Sequence, residues 1–127
     1  MSGKNVVINF YSKKYNYNSY LEIGGQPDAD ERSTWAKIEL SIKDTVDPNI
    51  SVKKEDMPDG CVHYMMTSDE FFDKYRKEKK YDVIFIDGLH DHAQVARDIE
   101  GSLACLKEDG TIILHDMLPP SRSLESD

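Results

Sequence analysis

Residues 81–116, YDVIFIDGLHDHAQVARDIEGSLACLKEDGTIILHD, limit what this chain can fold into more than any other stretch. Val83, Ile84, Phe85 and Ile86 form a short, unbroken run of β-prone apolar side chains. A run of that kind suits a strand buried on both faces rather than one with a wet face. After Asp87-Gly88 and His90-Asp91-His92 the period becomes helical. Val95, Ile99, Leu103 and Leu106 then fall on one stripe of an amphipathic helix. Asp91 is placed to cap that helix, and Gly110 to end it. Thr111, Ile112, Ile113 and Leu114 make a second buried strand, closing on His115-Asp116. Two such strands joined through a helix form a βαβ unit, with parallel strands and a right-handed crossover. Ligands of these sheets bind at the carboxyl ends of the strands, so Asp87, His90, His115 and Asp116 should gather on one rim.

The preceding residues supply the rest of a sheet. Residues 1–18 read as a lead-in segment whose apolar patch, Val6-Val7-Ile8, suits either a strand or a helix. Tyr20 to Ile23 is a strand running into the glycine turn Gly24-Gly25. A short amphipathic segment with Trp35, Ile38, Leu40 and Ile42 follows, then a brief second strand, Asp44-Thr45-Val46-Asp47-Pro48, halted by its proline. A third strand runs from Val62 to Met66. Thr67-Ser68-Asp69-Glu70 has the spacing of a capping box, opening a helix that turns Phe71, Phe72 and Tyr75 inward. The tally is about five strands alternating with about three helices, the pattern of an open, doubly wound, mostly parallel α/β sheet. Residues 121–127 read as a flexible tail.

Charge and cysteine usage narrow the function. A formal net charge of −8 argues against a nucleic-acid backbone as the partner. No run is long enough to span a membrane, and the N-terminus lacks the apolar core of a signal peptide. Cys61 and Cys105 are too few for a disulfide framework, which points to reduced thiols in the cytoplasm.

Several positions carry candidate chemistry. The glycine turn after Glu22 would let a ligand approach the backbone, or be a tight turn only. Asp47, at the end of the second strand, has the placement of an acid that accepts from ribose hydroxyls, or of a turn residue before Pro48. Asp69 can meet an adenine edge or serve as an ordinary acid in a first helical turn. The rim of Asp87, His90, His115 and Asp116 offers carboxylates for a divalent ion such as magnesium, and imidazoles that titrate near neutral pH as general bases. His63 reads as packed in or beside a strand, and His92 as a bystander.

With these residues in place, the chain resembles the class I S-adenosylmethionine-dependent methyltransferases, and within them methyltransferase family 24. The resemblance rests on YLEIGG, TVDPN, MTSDEFF, YDVIFIDGLHDHAQVARDIEGSLACL and LKEDGTIILHDMLPP, in that order over residues 19–120. It implies a Rossmann-like domain over 19–120, with Glu22, Gly24 and Gly25 along the methionine end of the cofactor. Asp47 would hold the ribose, and Ser68 and Asp69 would lie near the adenine. Asp87 would sit beside the sulfonium and the acceptor, with Asp87 and Asp116 binding magnesium. The family places an antiparallel pair of strands after the LHD strand, where this sequence has only 117–127. The resemblance thus implies a short sheet whose open edge suits pairing with a second copy. The expected activity is methyl transfer to a small molecule or sugar, at oxygen, in the cytoplasm. The alternative is a catalytically silent or truncated relative that binds a nucleoside or a protein. A metal-dependent hydrolase built on the His/Asp rim is a third reading, with no nucleophile visible.

Overall fold

The computed structural model describes residues 3–24, 37–49, 55, 57–88 and 92–116, of which Gly3, Lys4, Asp87, Gly88, His115 and Asp116 are described by backbone alone. In chain order the elements are α1 (Gly3–Tyr15), β1 (Ser19–Ile23), β2 (Ile42–Val46), β3 (Cys61–Tyr64), α2 (Ser68–Tyr75), β4 (Tyr81–Gly88), α3 (His92–Ala104) and β5 (Leu106–Asp116). The strands form one sheet in the order β3-β2-β1-β4-β5, and every neighbouring pair is parallel. This is the open, doubly wound sheet of a Rossmann-like fold. No helix among the described residues is long and apolar enough to cross a membrane.

All of β1 is buried, as a central parallel strand requires. Alternation divides its side chains between two cores. Leu21 and Ile23 pack with Ile84, Ile86, Phe71, Phe72 and Cys105, under α2 and α3. Tyr20 packs with Val83, Phe85, Cys61 and Ile8, under α1. Both cysteines are free, and burial is the main cause that pushes each thiol above its usual range. Buried thiols of that kind are unreactive.

The structure decides one open reading and departs from the sequence reading in two places. The patch at Val6-Val7-Ile8 lies in a helix, and it buries Ile8 alone while Val6 and Val7 stay exposed. The segment around Ile38 and Leu40 is not helical: Ile38 is buried beside α1, and Ile42 already opens β2. Trp35 lies outside the described residues. The larger departure concerns α3, which ends at Ala104 rather than near Gly110. Leu106 belongs to β5, and Leu103 is 60% exposed. The buried face of α3 is instead Asp98, Gly101 and Ser102. Gly101 has no side chain because the Phe72 ring occupies the space: an added Cβ would come within 2.2 Å of it.

The turn-forming residues after α3 serve β5. Its register on β4 shifts between Tyr81 and Val83, and there Asp109 takes a left-handed conformation with φ 70°. A Cβ on the next residue, Gly110, would lie 2.8 Å from the Asp82 carbonyl oxygen. Between those pairs β5 carries four residues, 107–110, against Asp82 alone on β4, an irregularity that the left-handed Asp109 and the closely packed Gly110 accommodate. At the same end of β4, the Asp82 side chain ties the strand to the start of β1. Its Oδ2 accepts from the backbone N–H groups of Asn18 (2.8 Å) and Ser19 (3.2 Å) and from the Ser19 hydroxyl. Lys107 Nζ lies 3.6 Å away. Burial alone would raise the Asp82 pKa, but these donors outweigh it and hold the carboxyl below its ordinary range.

Two outcomes follow. Gly101→Ala gains about 1 kcal/mol of helix propensity but overpacks against Phe72 at a cost of about 1–3 kcal/mol, so urea unfolding should show a lower midpoint. Because the Asp82 pKa is depressed on folding, its contribution is complete above the unfolded value of about 4 and disappears as pH falls through the folded value. Asp82→Asn should therefore lower stability at neutral pH and flatten the acid side of a stability-against-pH curve.

Candidate functional site

Strand order reverses between β1 and β4, and beside that point a crevice opens at the carboxyl ends of β1 and β2, bordered by α2 and α3. Its described lining comprises Ile23 and Gly24 after β1, Val46, Asp47, Pro48 and Asn49 after β2, Thr67 and Ser68 at the start of α2, and Gln94 and Asp98 of α3. The described part of the cleft holds about 170 Å³. The segments continuing from its rim, 25–36, 50–54 and 89–91, lie outside the described residues.

Each wall has a local cause. Gly24 takes φ 84°, a conformation that costs glycine little, and its N–H donates to the Val46 carbonyl at 2.8 Å. The turn thus joins the ends of β1 and β2. Asp47 donates its own N–H to Tyr64 at 3.1 Å. Its Oδ1 accepts from the Asn49 N–H at 2.7 Å, so it is a turn-forming Asp and still has lone pairs for a ligand. At α2 the capping box is complete. Thr67 Oγ1 accepts from the Glu70 N–H at 3.1 Å, and Glu70 Oε1 accepts from the Thr67 N–H at 3.0 Å. Those backbone and side-chain bonds to Thr67 lower the Glu70 pKa.

The floor is a polar network between α2 and α3. Asp98 is 2% exposed. Its Oδ1 accepts from the Ser68 hydroxyl (2.5 Å) and from Gln94 Nε2 (2.9 Å). Gln94 Nε2 also donates to Ser68 Oγ at 3.1 Å, and Arg97 Nη2 donates to Gln94 Oε1. Neither Gln94 nor Asp98 stands out in the sequence reading, which assigned the inner face of α3 to its apolar stripe. Their i, i+4 spacing, with an Asp at mid-helix where that residue is unfavourable, was the available signal.

The candidate residues divide into those the cleft includes and those it does not. Gly24, Asp47 and Ser68 line it. Asp69 does not: it is exposed and turned toward α3, where Arg97 Nε lies 3.4 Å from its carboxylate and Gln94 Nε2 donates to its Oδ1 at 3.3 Å. Glu22 is buried on the other face of the sheet, where it accepts from the Tyr20 hydroxyl at 2.5 Å. Burial, then the Glu22 charge, drives the Tyr20 pKa far upward. Gly25 and His90 lie outside the described residues. Asp87, His115 and Asp116 are described by backbone alone, which pairs Asp87 with His115 and Gly88 with Asp116 across β4 and β5. Among the described residues no group of three or more His, Cys, Asp or Glu could hold a metal ion. His63 sits on β3 with Nδ1 2.6 Å from Thr45 Oγ1, and His92 is exposed.

A cavity with an apolar edge (Ile23, Val46, Pro48), a carboxylate at one side and hydroxyl and amide groups at the other suits a nucleoside. The model of a protein family described as a methyltransferase domain matches residues 11–117. No curated protein and no solved structure matches the chain. Removing the cap with Thr67→Ala should lower stability by about 1 kcal/mol, read as a shift in the urea midpoint.

Proposed function

Because the chain belongs to methyltransferase family 24, we propose that it moves a methyl group from S-adenosylmethionine to an oxygen of a small molecule or sugar. With that cofactor bound, the chemistry available is in-line displacement of a methyl group from a sulfonium. The observation that carries the reading is the cleft beside the switch point, with Asp47 closing one side and Ser68 the other.

In this reading the Asp47 carboxylate accepts from the ribose hydroxyls while its Oδ1 bond to Asn49 fixes its direction. Ser68 meets the adenine, and Gly24 lets the methionine end approach the backbone. Glu22 and Gly25 are assigned to the methionine end, Glu22 acting through the sheet rather than by contact, and Asp69 takes a place at the rim of the adenine pocket. The register that sets Asp87 against His115, and Gly88 against Asp116, supports an acceptor site at the ends of β4 and β5. There His90 or His115 takes the acceptor's proton, with Asp87 beside the acceptor as the third catalytic group, and Asp87 with Asp116 would hold magnesium, which would lower the pKa of a bound hydroxyl. The same reading places the protein in the cytoplasm and allows a second copy to pair along an outer strand of the sheet.

The test is titration calorimetry of the whole chain with S-adenosylhomocysteine, with and without magnesium. Micromolar binding, weakened about tenfold or more by Asp47→Ala, is the expected result. A gain in affinity with magnesium that Asp116→Asn removes would support the metal site. No binding at millimolar ligand would reject the cofactor assignment and favour a silent relative that acts through protein contacts.

A further inference from the structure

We propose that Asp98 sets the hydrogen-bonding polarity of Ser68 and so makes the cleft select a 6-amino purine over a 6-oxo purine. This rests on the nucleoside reading above and adds to it a residue that determines base preference. A serine hydroxyl has one hydrogen and two lone pairs. In this structure the hydrogen goes to Asp98 Oδ1, a carboxylate oxygen that can only accept. Gln94 Nε2 shares its two hydrogens among Asp98 Oδ1, Ser68 Oγ and Asp69 Oδ1, so toward Ser68 Oγ it is a donor only. Ser68 lines the cleft, so what it offers a ligand is an acceptor and no donor.

The consequence for a purine is direct. The exocyclic amine of adenine can donate to that lone pair, whereas the carbonyl oxygen of hypoxanthine would meet it with no hydrogen between them. Facing two acceptors in a partly desolvated site is costly. Asp98 is almost completely buried, so water does not compete for its bond to Ser68. It acts through Ser68 and is a positioning residue. An asparagine in its place could donate its amide hydrogen to Ser68 Oγ, which would release the serine hydrogen to turn toward the ligand.

The experiment compares the calorimetric affinities of S-adenosylhomocysteine and S-inosylhomocysteine for the whole chain. The unmodified protein should prefer the adenosyl ligand by about tenfold or more. Asp98→Asn should bring the ratio toward one by strengthening inosyl binding, and Ser68→Ala should bring it down by weakening adenosyl binding. A purely structural role would weaken both ligands by the same factor. An unchanged ratio in both variants, or in Ser68→Ala alone if Asp98→Asn does not fold, overturns the proposal. Equal binding of the two ligands by the unmodified chain also overturns it while leaving the cofactor reading intact. Failure to bind either ligand overturns both.

Discussion

Between β1 and β4 the sequence order of the strands reverses, and the pairs from Tyr20–Val83 to Ile23–Ile86 hold the two halves of the sheet together. A parallel seam of this kind has no wet face, so each strand must be apolar toward both layers of helices or satisfy its polar groups internally. Both solutions are present. Leu21, Ile23, Ile84 and Ile86 bury hydrocarbon on the α2/α3 side. On the α1 side, Glu22 is retained beside Tyr20 through a hydrogen bond. The crevice lies beside this seam, closed by residues just past the ends of β1 and β2 and by Thr67, Ser68, Gln94 and Asp98 from α2 and α3.

What could be read from the sequence was what depends on neighbours in the chain. The unbroken apolar runs gave β4 and β5, and Thr67 to Glu70 gave the start of α2 with its reciprocal bonds. Residues whose role depends on distant partners were misread. Leu103 fits the helical stripe, yet the inward face is occupied by Gly101 because Phe72, from α2, fills that space. Gly110 resembles a helix terminator, but its lack of a Cβ serves the close approach of the Asp82 carbonyl across the bulge.

The same division holds for the site. Gly24 and Asp47 were identifiable because a glycine turn and an acid at consecutive strand ends are set by local order. Asp98 and Gln94 were not, since what brings them to the cleft is a hydrogen bond each makes with Ser68, thirty and twenty-six positions earlier in the chain. Asp69 and Ser68 are adjacent in sequence, but the helix sends them to different places, one toward Arg97 and the other into the cleft. Position at the start of a helix therefore points to the turn that borders the cleft without distinguishing its faces.

The two buried thiols divide between the two cores: Cys105 lies under α2 and α3, and Cys61 under α1. The chain thus contains a native pair of chemical reporters, one for each side of the sheet. Their alkylation rates measure how often each layer opens to solvent. Equal opening free energies would mean that the layers separate from the sheet in one cooperative event. Unequal values would identify which layer yields first, with no foreign label added to the protein.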